Sequence, residues 1–180
     1  MTYTAPTPFA VGDEFTASWQ NTYIKANLDF LATPPSVRAT ASSTTAIATG
    51  TWSLIAFDAE TWDWATTAMH DNSTNNSRLV APVAGKYQVT AHTTWTANAT
   101  ASRVIQIRKN AAGNVASGTQ LSQSLYAASV SQLDYQVTDT FDLAANDYIE
   151  IWRYQNSGGN LAPQLYGTTP AFATMRWVGF

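Results

Sequence analysis

The 180-residue chain contains no cysteine. That absence removes disulfide staples, thiolate metal sites and cysteine nucleophiles together. Charge is scarce as well. Asp, Glu, Lys and Arg make up 12% of the residues, with a net charge of -3 at pH 7, which is about half the usual charged share. No basic run is present, so the electrostatic footprint of nucleic-acid binding is missing. No apolar run approaches the length of a membrane span. The first ten residues have neither the basic start nor the apolar centre of a signal peptide. The expectation is a protein that engages neither nucleic acid nor membrane and does not leave a cell by the ordinary secretory route. Assembly into something released by lysis would satisfy that constraint.

What is present is apolar and polar-uncharged: 45% hydrophobic residues and a surface left to Thr, Ser, Asn, Gln and Ala. The length suits one domain with a modest extra element, and it can bury a core without staples. The clearest pattern runs from Gly85 to Trp95. Tyr87, Val89, Ala91, Thr93 and Trp95 fall on one face, and Lys86, Gln88, Thr90, His92 and Thr94 on the other. Strict period-two alternation marks a strand with one face on a core. Pro82 cannot donate to a ladder and belongs at a strand end, and Gly85 can take positive φ at the strand's start.

Before the strands, Ala17 to Leu31 contains no Gly or Pro and reads as the one helix, capped by Thr16 and stopped by Pro34 and Pro35. Ile24, Leu28 and Leu31 form a heptad-like stripe, with Trp19, Tyr23 and Phe30 adding apolar surface beyond it. About fifteen residues is marginal for an isolated helix, so it needs a partner. That partner is its own domain, or a homotypic bundle or larger assembly. The Thr- and Pro-rich residues 1–12 read as an extended arm.

From Val37 onward the chain is β. The Ser-, Thr- and Ala-rich stretch from Val37 to Ala48 suits an edge strand, and residues 58–76 read as a long polar loop. Further strands follow at 101–109, 115–126, 131–141, 148–154 and 173–180. Asp139 interrupts the apolar face of its strand and predicts a bulge there. Eight to ten strands without intervening helices mean an antiparallel sandwich or jelly roll. Residues 1–35 are then an arm and attachment helix, and residues 36–180 the jelly roll. The strand at 148–154 carries Ile149 and Ile151 on one face and Tyr148, Trp152 and Tyr154 on the other. The second face predicts cover by another copy of the chain.

Catalytic constellations are thin. His92 lies on a polar strand face, where solvation or an interface accounts for it. His70, Asp71, Ser73 and Ser77 lack the flanking pattern of a nucleophile elbow. Asp58, Glu60, Asp63 and Asp71 offer oxygen ligands for a hard cation, but their spacing matches no EF-hand loop, so solvated acids are the simpler reading. Gly158 and Gly159 precede no helix and make no phosphate loop. The expectation is no enzyme, no cofactor and no metal.

Two resemblances follow from particular residues. Arg78, Leu79 and Val80, then Pro82 to Tyr87, match the Pro-x-x-Gly-x-Tyr step into a long strand. Leu143 to Ile151 matches a Leu-x-x-Gly-Asp-x-Val-x-Val turn and strand, with Asn146 where glycine is usual. Residues 72–180 thereby resemble the C1q and tumour-necrosis-factor jelly-roll family, which implies a mainly β, C1q-like antiparallel sandwich and a homotrimer. Some family members hold calcium, but no residue-level match carries such a site here. The opening run Val11 to Ala17, with Asn21, Asn27 and Leu28 after it, is similar to the start of minor structural proteins of tailed bacteriophages. This second resemblance implies a virion protein exposed on the particle surface, its partners being itself and other capsid or tail proteins.

The low charge fits that setting better than it fits a cytosolic enzyme. As a tail-associated adhesin or minor tail protein, the chain would serve host attachment by presenting Trp62, Trp64 and Tyr126, or the rim from Asn156 to Asn160, to a host-surface glycan. As a capsid decoration or head fibre, it would clamp the shell through Trp19, Tyr23, Ile24, Leu28 and Leu31. The alternative is a secreted C1q-like protein- or glycan-binding module of a bacterial cell.

Overall fold

A computed structural model describes residues 3–165 and 170–180. Residues 1 and 2 of the expected arm lie outside that range. Helix α1 covers residues 17–32, and its middle, Gln20–Lys25, is wound as a π-helix. Thr16 caps it as expected: its side-chain oxygen accepts the Trp19 N–H at 3.1 Å. Ten strands follow among the described residues: β1 (Ser36–Ala41), β2 (Thr51–Leu54), β3 (Ala59–Asp63), β4 (Arg78–Val80), β5 (Gly85–Trp95), β6 (Asn98–Lys109), β7 (Thr119–Ser129), β8 (Leu133–Leu143), β9 (Tyr148–Gln155) and β10 (Ala171–Gly179).

The strands form two antiparallel sheets. The first has the order β3-β1-β10-β5-β8. The second has the order β2-β9-β6-β7, with β4 also paired to β9. The fold is thus the mainly β two-sheet sandwich that the strand count predicts, with one helix ahead of it. The core lies between the sheets. Tyr87, Val89, Ala91 and Trp95 enter it from β5, Ile105 and Ile107 from β6, and Ile149 and Ile151 from β9, all fully buried. Each alternates with an outward-facing neighbour, as period-two geometry requires.

Gly85 opens β5 at φ +148°, where a Cβ would lie 2.6 Å from the Gly179 carbonyl oxygen and against the Trp177 indole. At the β8–β9 turn, Asn146 takes φ +69° and fills the left-handed position where glycine is usual.

Four expectations need correction. First, β1 is not an edge strand. It pairs with β10 on one side and β3 on the other, because small Ala39 and Ala41 side chains fit a crowded interior as well as a rim. Second, the stretch 58–76 is not all loop, since β3 lies within it and forms the true edge. Third, β8 runs beside β5 without a register shift through the Val89–Asp139 pair. Because β8 is an edge strand, the Asp139 carboxylate escapes to solvent past the lip of the sandwich, and the ladder need not bulge. Fourth, His92 is buried rather than solvated. The Phe172 ring stacks on it at 4.7 Å, and Asp134 Oδ1 lies 3.7 Å from Nε2.

Candidate functional site

The sheet edge brings Trp62 and Trp64 together. In the β1–β3 register Trp62 sits opposite Arg38, and the Trp64 N–H donates to the Ser36 carbonyl at 2.7 Å, which holds the chain flat just past the strand end. The two indoles stack with centroids 5.7 Å apart and planes 30° apart. Trp64 remains 58% exposed. The Arg38 guanidinium lies 5.9 Å from the Trp62 ring centre and 3.9 Å over Phe172. Beside the indoles runs a groove of about 500 Å³, bounded by Pro34 at the end of α1 and by Gln88 and Arg176. Flat aromatic faces next to guanidinium and amide donors can stack on a sugar ring and hydrogen-bond its hydroxyls. Arg38, Gln88 and Arg176 escaped sequence reasoning, since only the strand register brings them to the indoles.

The helix supplies a second surface. Phe30 is fully buried and meets Trp177 edge-on at 4.8 Å. Asn27 donates from Nδ2 to the Thr4 and Tyr23 carbonyls and accepts the Thr4 N–H, which ties the N-terminal arm to the helix. Tyr3 rests on Phe180 at 4.6 Å. Trp19 lies among Phe9, Phe15 and Tyr23, all with centroids within 5.3 Å. The buried face is therefore Asn27, under the arm, and Phe30, on the sandwich. Ile24, Leu28 and Leu31 point away, at 38%, 60% and 55% exposure. The arm, expected as extended, runs back along its own helix.

On the outer face of the second sheet, Tyr148 lies under the Arg78 guanidinium at 4.2 Å, and Tyr154 packs on Trp52 at 5.2 Å. Trp152 is buried within the single chain, so its bulk alone does not require a second copy. Trp52, Tyr154, Val104 and Leu125 are aligned by register into one apolar row across β2, β9, β6 and β7, and Leu125 is largely exposed. Tyr126 bridges the sandwich instead of facing out: its ring stacks on Tyr135 at 4.3 Å and its hydroxyl donates to the Gln136 carbonyl. Asn156 accepts the Ser102 N–H at 2.8 Å, and Asn160 is exposed at the loop tip. These residues do not meet Trp62 and Trp64 in one groove.

The acidic loop is consumed by its own hydrogen bonds. Asp58 accepts from Ser42, and Asp63 accepts the Met69 and His70 N–H groups. Glu60 holds His70 Nδ1 at 2.7 Å, and His70 Nε2 lies 3.0 Å from the Asn76 carbonyl. Burial raises the Asp63 carboxyl above its ordinary value, against those backbone donors. The Thr74 and Ser73 N–H groups hold Asp71 down to about 2. Among the described residues, no three His, Asp or Glu side chains converge to hold a metal ion. With both ring nitrogens of His70 engaged, the cluster pins a loop.

The architecture matches known sandwiches. The globular domain of zebrafish complement 1qA protein superposes with a TM-score of 0.53 at 13% identity, covering 80% of this chain and 97% of that one. Murine APRIL gives 0.57 at 8% identity, covering 80% and 98%. Eiger TNF from S. frugiperda gives 0.56 at 10% identity, covering 81% and 92%. No protein-family model and no curated protein sequence matches the chain. At such identities the likeness establishes the fold, a C1q/TNF-like jelly roll, and nothing finer.

Proposed function

We propose that this chain is a display module of a bacteriophage virion, a homotrimeric C1q/TNF-like jelly roll attached through its N-terminal helix. The observation that carries this reading is the helix itself. Phe30 already seats it on the sandwich and Asn27 ties it to the arm, yet it keeps Ile24, Leu28 and Leu31 in solvent. A monomer has no use for a second apolar stripe on a sixteen-residue helix, whereas a helix that joins copies or clamps a shell does. The row from Trp52 to Leu125 is the sheet surface that a neighbouring copy would cover.

The Trp62–Trp64 groove favours a binding role on the exposed side, with a host-surface glycan as the ligand class. That supports the tail-associated adhesin over pure capsid decoration. The groove also supports a second reading, a secreted glycan-binding module of a bacterial cell, because it needs no particle.

The test is a variant with Ile24→Gln, Leu28→Gln and Leu31→Gln. All three positions are exposed, so its unfolding free energy should stay within about 0.5 kcal/mol per site of the parent, while incorporation into particles falls away. Undiminished incorporation refutes the attachment role. A glycan array with parent and Trp64→Ala protein separates adhesin from decoration: loss of signal in the variant marks an adhesin, and no signal from either marks decoration.

A further inference from the structure

The interior contains a cation without a counter-charge. Arg153 lies on the inward face of β9, after Ile149 and Ile151, and is 5% exposed. Its contacts are few. One guanidinium nitrogen reaches Thr93 Oγ1 at 3.5 Å, the ring centre of Trp95 lies 5.8 Å away, and Nε has no partner. No carboxylate among the described residues lies within 4 Å.

The other buried charges are treated differently. Glu150 receives Arg78 and the Gly113 N–H, and Arg103 donates to three backbone carbonyls. Stripping water from a charge costs several kcal/mol unless partners replace it. Arg103 also leaves Nε unpartnered but has its three carbonyls, so Arg153, with one long contact to Thr93, is the buried ion with the fewest polar partners among the described residues.

A cavity of about 340 Å³ opens onto it at the β1–β2 side of the sandwich. Its wall mixes apolar Ala41, Ile47 and Leu54 with the hydroxyl residues Ser43, Thr45 and Thr51, and it contains no acidic side chain. In the β2–β9 register Ser53 sits directly beside Arg153. Burial lowers the arginine pKa to about 10, which leaves it charged at neutral pH.

We propose that Arg153 anchors a binding site for the carboxylate of a small organic acid of monosaccharide size, with acidic sugars as the class that fits the wall. A planar guanidinium with unused donors matches the two oxygens of a carboxylate in a fork. A single cation neutralises one negative charge, which favours a carboxylate over a phosphate dianion. The hydroxyl residues suit a ring bearing several hydroxyl groups, and the volume lies at the small end of ligand sites. This site is separate from the Trp62–Trp64 groove and does not depend on the display role.

The test uses the full chain with D-glucuronate, with D-glucose as the neutral counterpart and inorganic phosphate as the competing anion. In ¹⁵N-detected spectra the Arg153 Nε–Hε resonance, assigned by its loss in Arg153→Met, should move with glucuronate and stay fixed with glucose. The thermal midpoint should rise with glucuronate alone. Arg153→Met keeps the length and removes the charge, so it should fold at least as stably as the parent and bind at least about tenfold more weakly. Should that variant fail to fold, the resonance is identified by Arg153→Lys and the parent titration decides alone. Three results would overturn the site: no difference between glucuronate and glucose at millimolar concentration, an equal response to phosphate, or undiminished binding by Arg153→Met.

Discussion

At the residue scale, Gly85 and His92 carry constraints that neighbouring positions do not. Gly85 combines a positive φ with a backbone carbonyl 2.6 Å from where a Cβ would stand. Replacing it with Ala forces β5 away from β10, and the expected loss is about 2–3 kcal/mol in a urea melt. His92 is held neutral. Burial lowers its pKa, the Asp134 carboxylate works against that, and Arg38 adds to it. A base whose folded pKa is lowered contributes its stability in full above the unfolded value of 6.5, and that contribution is lost as the pH falls below it. Thermal midpoints should therefore drop through mildly acidic pH, and His92→Gln should flatten that slope. Tyr87 and Tyr135 set the other limit. Burial pushes both hydroxyls up to about 12 from an ordinary value of 10.0. Stability is lost as the pH rises from 10 through 12, and tyrosinate absorbance should appear there together with unfolding.

At the element scale, the helix shows what periodicity can and cannot reveal. Its limits were legible from Thr16, Pro34 and Pro35, which act locally. Its buried face was not. The heptad stripe of Ile24, Leu28 and Leu31 is a sound apolar pattern, yet the chain buries Phe30 and Asn27, because Trp177 of the sandwich and the Thr4 backbone of the arm offer partners that only the folded chain brings to the helix. The π-wound middle, Gln20–Lys25, adds to the difficulty, since a wide turn rotates residues before it relative to those after it. Phe30→Ala should therefore destabilise the domain by about 3–5 kcal/mol, measured by chemical denaturation, in contrast to the near-neutral change expected on the exposed stripe. Strands behave likewise. β5 was readable because its alternation is local. The groove was not, because Arg38, Gln88 and Arg176 meet Trp62 and Trp64 only through the order β3-β1-β10-β5. Arg153 was hidden for the same reason: within a strand of large residues, nothing local marks one cation as unpaired.

At the scale of the whole molecule, a sparsely charged, cysteine-free chain folds into a two-sheet sandwich and still leaves apolar surface over. The exposed helix stripe and the row ending at Leu125 lie on different elements, and a closed oligomer can use both. The sandwich itself was foreseeable from the number of strands and from the absence of helices between them. Its use is a matter of surfaces, and surfaces depend on which side chains the core leaves behind. The most direct test of the central claim is sedimentation equilibrium of the full chain at micromolar concentration. A homotrimer sediments as a species of three times 19.5 kDa, which is the expected result. A stable monomer of 19.5 kDa at that concentration would contradict it.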